Sequence, residues 1–350
     1  MSAHLQATAP WEASIPAFLQ RQLLTRAPPL PPSLTLAGQT GLVTGANTGL
    51  GLAATRQLLA LGLDHAVLAV RSRARAAAAA AALAAAFPRA RVDVWIVDMA
   101  SYASVRGLAA RCAQELPRLD VVVLNAGVQP ARFARVRAES EAGSDDGHEL
   151  TLQVNYLSTV LLAVLLLPVL RDKRRGRGGA PARLSVVASD TAYWAKVPGP
   201  GPIFARFEAE DGFDTHAWYA GSKLLLILAV AKLAEHVDPQ DVIVNTVNPG
   251  LVSGTSIMRD LQPAWLRPVV RALVWLVGRD LAAGASTYVD GAVVQGPESH
   301  GSYCSDWTIK PYPAVAYTVE GKQLQDRLWQ ETMEELNADR TSEIVQQLRE

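Results

Sequence analysis

Short, nearly continuous apolar runs punctuate this chain, and most of them end on a small or polar residue. They are Leu42-Val43, Ala66–Val70, Val94–Val97, Val121–Leu124, Leu184–Ala188 and Val242–Val247. Between them lie stretches whose apolar positions recur at three and four, as in Leu52-Ala53-Ala54 with Leu58-Leu59. Runs of β-branched residues without alternation predict strands buried on both faces. Their exchange with helical stretches predicts a parallel sheet covered on both sides. The expected fold class is α/β, a doubly wound parallel sheet in a single domain. Ligands of such sheets bind beyond the carboxyl ends of the strands, which is where the small and polar residues collect here.

The first run opens into Thr44-Gly45-Ala46-Asn47-Thr48-Gly49-Leu50-Gly51, followed at once by a helical pattern. Glycines there let backbone N–H groups approach a pyrophosphate at a helix N-terminus, where the helix dipole favours anions. Gly45, Asn47, Thr48, Gly49, Leu50 and Gly51 are therefore candidate cofactor contacts. Their glycines are spaced GxxxGxG rather than GxGxxG, and a tight strand-to-helix turn without a ligand is the plainer alternative. The second run leads into Arg71-Ser72-Arg73. A carboxylate at this point would bond ribose hydroxyls and select NAD, whereas an arginine accommodates a 2′-phosphate. Arg71 thus points to NADP(H), although an arginine after a strand is also an ordinary solvated loop residue. The third run ends at Asp98, placed to reach an adenine amino group, and the fourth at Asn125-Ala126-Gly127, small enough to lie against the cofactor.

The fifth run delivers Ser189 and the sixth Asn248-Pro249-Gly250. Between these, Tyr219 and Lys223 stand four residues apart ahead of an apolar helical stretch, so both side chains share one helix face. A phenol beside an ammonium becomes a better acid, since the positive charge favours the phenolate. That suits a proton donor to a carbonyl oxygen.

With these motifs in this order, the chain resembles the short-chain dehydrogenase/reductase family from about Leu36 to Gly296. The phrases Asp146-Gly147-His148-Glu149 and Val154-Asn155-Tyr156-Leu157 are similar to its retinol-dehydrogenase-like branch. Val244–Leu251 and Gly296–Gly301 resemble fungal members tied to secondary metabolism, which carries the resemblance over nearly the whole chain. It implies a Rossmann-like fold and a catalytic set of Asn155, Ser189, Tyr219 and Lys223. Tyr219 would exchange a proton with the substrate oxygen, and Ser189 would bond the same oxygen. Lys223 would hold the nicotinamide ribose, and Asn155 would anchor a water linking Lys223 to solvent. Val252 would meet the carboxamide through its backbone. The family often has a hydroxyl residue where this chain has Gly254, so Ser253 or Thr255 would have to replace it; Thr255 is the candidate retained here.

Composition narrows the class. Thirty-three basic and thirty-three acidic residues balance, so nothing argues for nucleic acid or anionic membranes. Cys112 and Cys304 are too few for a disulfide framework and suit a reducing, cytoplasmic setting. The six histidines show no ligand spacing, so no metal site is expected, and a zinc alcohol dehydrogenase is disfavoured. The N-terminus lacks a secretory pattern, having Pro10 and Pro16 and no apolar core. Leu161–Leu170 is too short to span a bilayer and is interrupted by Pro168, so no integral membrane segment is expected. The run Ala76–Ala86 predicts a helix, and Arg171–Arg177 a solvated loop.

The expected organisation is an N-terminal helix and Pro-rich linker over 1–35, a catalytic domain over 36–300, and a C-terminal extension over 301–350 packed on the core. Within the domain, 253–280 is the expected substrate lid, because Trp265–Val277 reads as an amphipathic helix after Pro249-Gly250. A helix merely packed on the core, or one touching a membrane, fits the same pattern. Val197–Pro202 with Phe204, Phe207 and Phe213 forms a second segment outside the cofactor core. These segments favour a small, bulky, apolar ketone, aldehyde or alcohol as partner, and the pattern allows a homodimer. The leading expectation is an NADP(H)-dependent ketone reductase of secondary metabolism. Alternatives are a non-catalytic NADP-sensing protein and a retinol- or steroid-type dehydrogenase. An epimerase or dehydratase of the extended relatives is disfavoured by the glycine spacing.

Overall fold

The computed structural model describes residues 1–136, 147–174, 180–197, 199, 201–255 and 267–349. Asp146, Arg175, Arg177, Pro198, Pro200, Trp265 and Leu266, all used in the sequence reading, lie outside the described residues. The strands are β1 Thr40–Thr44, β2 His65–Val70, β3 Arg91–Ile96, β4 Val121–Leu124, β5 Ala182–Val187, β6 Val242–Asn248, β7 Tyr303–Ser305 and β8 Thr308–Lys310. They form one sheet in the order β3-β2-β1-β4-β5-β6-β7-β8. All pair in parallel except β8, which returns antiparallel to β7. The winding reverses between β1 and β4, and a crevice opens at such a reversal. Val43, Val123, Ser185 and Asn245 stand in one row across the four central strands. Register therefore brings Gly45, Asn125, Ser189 and Pro249 to one edge of the sheet.

The helices are α1 Ala9–Glu12, α2 Ile15–Leu24, α3 Gly49–Ala60, α4 Arg73–Ala86, α5 Tyr102–Glu115, α6 Ser158–Arg174, α7 Ile203–Glu208, α8 Thr215–Ala234, α9 Arg267–Val277, α10 Leu281–Val289, α11 Val319–Glu335 and α12 Thr341–Gln347. α3, α4 and α10 cover one face, where Leu58, Leu83 and Tyr288 join Val43, Leu68 and Val247. α5, α6 and α8 cover the other, where Leu108, Leu161 and Leu225 join Val122, Leu184 and Val244. Double coverage explains why the strands read as unbroken apolar runs.

Four features of the fold bear on these expectations. The residues expected as a C-terminal extension supply β7 and β8, so the boundary at 300 cuts through the sheet; three-residue strands are too short to show a period. Pro168 does not end its helix, because α6 runs on to Arg174. Burial of eleven of the seventeen α6 residues outweighs the local cost of a mid-helix proline, about 3 kcal/mol. Leu152–Arg174 and Thr215–Ala234 are long and apolar enough to cross a membrane, but 89% and 72% of their apolar windows are buried inside the protein. Core packing explains their composition. Finally, the N-terminal residues are docked rather than tethered. The Ser2 N–H donates to Ser302 Oγ at 3.1 Å, and Trp194 Nε1 donates to the Ala13 carbonyl at 2.7 Å.

Candidate active site

β1 ends at Thr44, and the chain turns through Gly45 and Gly49 with φ of +68° and +57°, which glycine adopts without strain. α3 then begins with Thr48 as its N-cap, yet the threonine side chain accepts no amide of the first turn. That leaves first-turn N–H groups without a side-chain partner at the positive end of the helix dipole, the arrangement a pyrophosphate needs. Asn125 braces this loop. Its Nδ2 donates to the carbonyl of Thr44 at 2.9 Å, while Thr44 Oγ1 accepts the N–H groups of Asn125 and Ala126 at 2.9 and 3.0 Å. The sequence reading credited this tripeptide only with small size; the side chain of Asn125 is a structural tie as well.

A Cβ on Gly51 would lie 2.6 Å from Asn125 Nδ2 and 2.7 Å from the Gly45 carbonyl oxygen. Gly51→Ala is expected to cost about 1–3 kcal/mol, because neither the brace nor the loop can retreat without losing a bond. Thermal unfolding checks this, and an unchanged melting temperature would mean the loop relaxes freely. Gly284 of α10 was missed by sequence. A Cβ there would meet Val252 Cγ2 at 2.5 Å and Leu50 Cδ2 at 2.9 Å. Two candidates two hundred residues apart thus converge over this glycine, whose role depends on tertiary packing alone.

Arg71 follows β2 and is exposed, as is Arg73 at the start of α4. Asp98 follows β3, and its Oδ1 accepts the Ala100 N–H at 3.0 Å. Asn47 and Thr48 line the same edge, Thr48 being exposed.

The proton-handling groups meet at the ends of β4 and β5. Asp214 caps α8 by accepting the Ala217 N–H at 2.6 Å, which starts the helix one turn before Tyr219. Lys223 is buried, with Nζ donating to the Val187 carbonyl at 2.7 Å and standing 5.7 Å from the centre of the Tyr219 ring. Ser189 stands close enough to the Tyr219 hydroxyl to pull weakly on its acidity, and its Oγ accepts the Thr191 N–H at 3.3 Å. Asn155 lies in a wide helical turn, Leu152–Leu157, that precedes α6. Its Oδ1 accepts the Val128 N–H at 2.8 Å, and its Nδ2 donates to the Val128 carbonyl at 2.9 Å and to Ser222 Oγ at 3.1 Å. Ser222 Oγ donates in turn to the Tyr219 carbonyl at 2.7 Å. A Cβ on Gly127 would stand 3.3 Å from Asn155 Oδ1 and 3.7 Å from Lys223 Nζ, so these groups share one small volume.

Two expectations change here. Tyr219 is not acidified. Burial pushes its hydroxyl up to about 12, with Ser189 pulling weakly the other way. Burial also pulls Lys223 down to about 8. Desolvation dominates because the ammonium is tied to Val187 rather than to the phenol oxygen. The carboxamide of Asn155 is committed to Val128 and Ser222, which makes its side chain a tie between three segments.

Beyond β6, Val252 pairs with Arg279 in an isolated parallel bridge. Ser253 Oγ donates to the Arg279 carbonyl at 3.0 Å, and Thr255 Oγ1 to the Val252 carbonyl at 3.4 Å. Both hydroxyls flanking Gly254 are engaged by backbone carbonyls, Ser253 across the bridge and Thr255 within its own loop. Sequence reasoning missed Asp190 and the partners around it. Asn248 Nδ2 donates to Asp190 Oδ1 at 2.7 Å, and Arg21 pairs with Asp306 at 3.3 Å, with Asp190 at 3.9 Å and with Glu12 at 2.5 Å. Asp190, next to Ser189, carried a signal only as a charged residue inside an apolar region; Arg21 carried none.

With fold and site in view, the short chain dehydrogenase family model matches residues 39–178. The chain is 48% identical over 349 residues to the short chain dehydrogenase virL of Hypocrea virens, covering 100% of this chain and 99% of that one. It is 41% identical over 334 residues to the short chain dehydrogenase/reductase mfmJ of Annulohypoxylon moriforme, covering 95% and 94%. RhlG of Pseudomonas aeruginosa, solved as an NADP active-site complex, shares the fold with a TM-score of 0.54 at 22% identity, over 78% of this chain and 96% of that one. The sheet order and the strand-end constellation define an oxidoreductase of the Rossmann-like class. The chain belongs to the short-chain dehydrogenase family.

Proposed function

We propose that this protein is an NADP(H)-dependent oxidoreductase that interconverts a ketone and a secondary alcohol on a bulky apolar substrate, acting as a ketone reductase in a secondary-metabolite pathway. The observation that carries the reading is the buried Lys223, its Nζ 5.7 Å from the centre of the Tyr219 ring, at the strand edge that also holds Ser189 and the glycine loop. Held at the Gly45–Gly51 loop, the nicotinamide cofactor would supply the hydride, two electrons and one hydrogen, for the carbonyl carbon. Ser189 and Tyr219 hold the carbonyl oxygen between their hydroxyls, and Tyr219 gives it the second hydrogen as a proton. Tyr219 stays neutral at physiological pH and so always has a proton to give. Lys223, a protonated amine with a value near 8, loses its proton readily and can restore that of Tyr219. The retinol- or steroid-type reading uses the same chemistry and differs in substrate alone. Cys112 and Cys304, both buried free thiols, suit a cytosolic enzyme.

NADP(H) is favoured by Arg71 at the end of β2 and by the NADP complex of the RhlG relative in fold. Arg71→Asp is expected to weaken NADPH binding by about 2–4 kcal/mol, through a lost charge-assisted pair and a new repulsion, and to help NADH relatively. Titrating both nucleotides tests this; an unchanged preference would pass the selecting role to Arg73. The substrate is taken to be apolar because α9 presents Trp275 and Leu276, 78% and 70% exposed, rather than packing them on the core. An apolar surface beside the Pro249-Gly250 loop suits a lid over a hydrophobic ligand. Incubating the protein with NADPH and a panel of aromatic and alicyclic ketones, while following cofactor absorbance, tests the whole reading. Tight nucleotide binding without any turnover would favour the sensing alternative.

A further inference from the structure

Gln22, near the end of α2, is buried and has all its hydrogen bonds on one distant loop and helix end. Its Oε1 accepts the Leu251 N–H at 3.1 Å, and its Nε2 donates to the Leu251 carbonyl at 2.8 Å and to the Val277 carbonyl at 3.3 Å. One neutral carboxamide thus grips both backbone groups of Leu251, as a partner strand would, together with the last residue of α9. From the other side the Arg279 N–H donates to the Leu251 carbonyl at 2.9 Å, and the Ser253 N–H donates to the Arg279 carbonyl at 2.8 Å. Arg279 Nη1 reaches the Pro249 carbonyl at 3.2 Å, and Nη2 reaches the Arg21 carbonyl at 3.1 Å.

The loop itself is shaped for this grip. Gly250 has φ +73°, and a Cβ there would overlap Gln22 Oε1 and stand 3.0 Å from Arg279 Nη1. Only glycine admits the carboxamide. The neighbouring Arg21 fixes the other side of the helix through Asp190 and Asp306, and Asp190 directly follows Ser189. α2 therefore bridges the turn bearing Ser189 and the loop bearing Val252.

We propose that Gln22 is a positioning residue of the active site: from the N-terminal helix it holds the Pro249–Ser253 backbone and the end of α9. It thereby sets the affinity for the nicotinamide half of the cofactor and the placement of the segment over the substrate. This rests on the function proposed above. Stability alone already asks that the Leu251 N–H find a partner, so cofactor affinity is the property that tells the positioning role from a structural one.

The test uses the full chain with Gln22→Met, which keeps volume and removes all three hydrogen bonds. Ser14→Ala serves as control. It removes the cap that accepts the Ala17 N–H at 3.2 Å and so weakens α2 without touching Gln22. Three quantities are measured: hydrogen exchange of the Leu251 amide, NADPH dissociation constant by fluorescence titration, and melting temperature. In Gln22→Met the Leu251 amide should lose protection and the NADPH constant should rise about tenfold, the worth of roughly one net hydrogen bond. Ser14→Ala should lower the melting temperature with the NADPH constant unchanged. A constant within twofold of wild type in Gln22→Met, with Leu251 deprotected, would overturn the positioning role. An equal rise in both variants would overturn it too, by showing that general loosening of α2 suffices. Retained Leu251 protection would show that Gln22 is not what holds the loop. A wild-type protein that fails to bind NADPH sinks the proposed function, and the site role of Gln22 with it; the exchange data then still report on the grip itself.

Discussion

Replacing Tyr219 with phenylalanine is expected to cut turnover by about 10²–10⁴-fold, the usual loss when a general acid is removed. The ring keeps its place on α8, and only the hydroxyl beside Ser189 disappears. Ser189 retains the Thr191 N–H as a partner, so its turn should stand. Nucleotide binding should stay within about twofold, since the loop at Gly45–Gly51 and its Asn125 brace are untouched. Single-turnover kinetics with a verified ketone, beside an NADPH titration, checks both halves. Near-normal turnover would remove Tyr219 from the acid role, and a collapse of NADPH affinity would recast it as a binding residue.

Much of this site is legible in the chain because its parts sit at the ends of elements with strong local signals. The loop Thr44–Gly51 announces itself by three glycines between an apolar strand and a helical pattern, and the Tyr219–Lys223 pair by spacing on one helix face. β1, β2 and β4 to β6 are readable because two-sided burial makes each largely apolar, whereas the edge strand β3 shows only through its Val94–Val97 end. What escapes is whatever depends on partners far along the chain. β7 has three residues and owes its strand conformation to pairing with β6. Gln22 is an unremarkable glutamine until Leu251 is placed beside it, and Gly284 gains its meaning from Leu50 and Val252. The acidity of Tyr219 was misjudged for a related reason. Sequence spacing gives proximity to a charge, but not the desolvation of the phenol or the carbonyl of Val187 that binds the ammonium.

That same desolvation yields the last prediction, for Lys223→Met. Lys223 has a folded value of about 8 against 10.5 for an ordinary lysine, and burial is the cause. Between those values the unfolded chain binds the proton that the folded chain has lost, so stability rises with pH across that window. Below pH 8 both states are protonated, and the buried ammonium costs the fold its full amount, about 3 kcal/mol. Methionine has nearly the same length and no charge to bury, so it removes that cost. It also leaves the Val187 carbonyl without its donor, which takes back about 1–3 kcal/mol. The gain in stability at pH 7 should therefore lie between about 0 and 2 kcal/mol. The pH dependence is the sharper signature, because the Val187 term is the same at every pH. Relative to wild type, the methionine variant should be about 3 kcal/mol less favoured above pH 10.5 than at pH 7. Urea unfolding of both proteins at pH 7 and at the highest pH that keeps them folded measures this difference directly. Activity should move the opposite way, falling by more than about 10²-fold, since no amine remains to restore the proton of Tyr219. A pH-independent stability difference would show that Lys223 is not desolvated in the fold, and retained activity would show that Tyr219 regains its proton by another route.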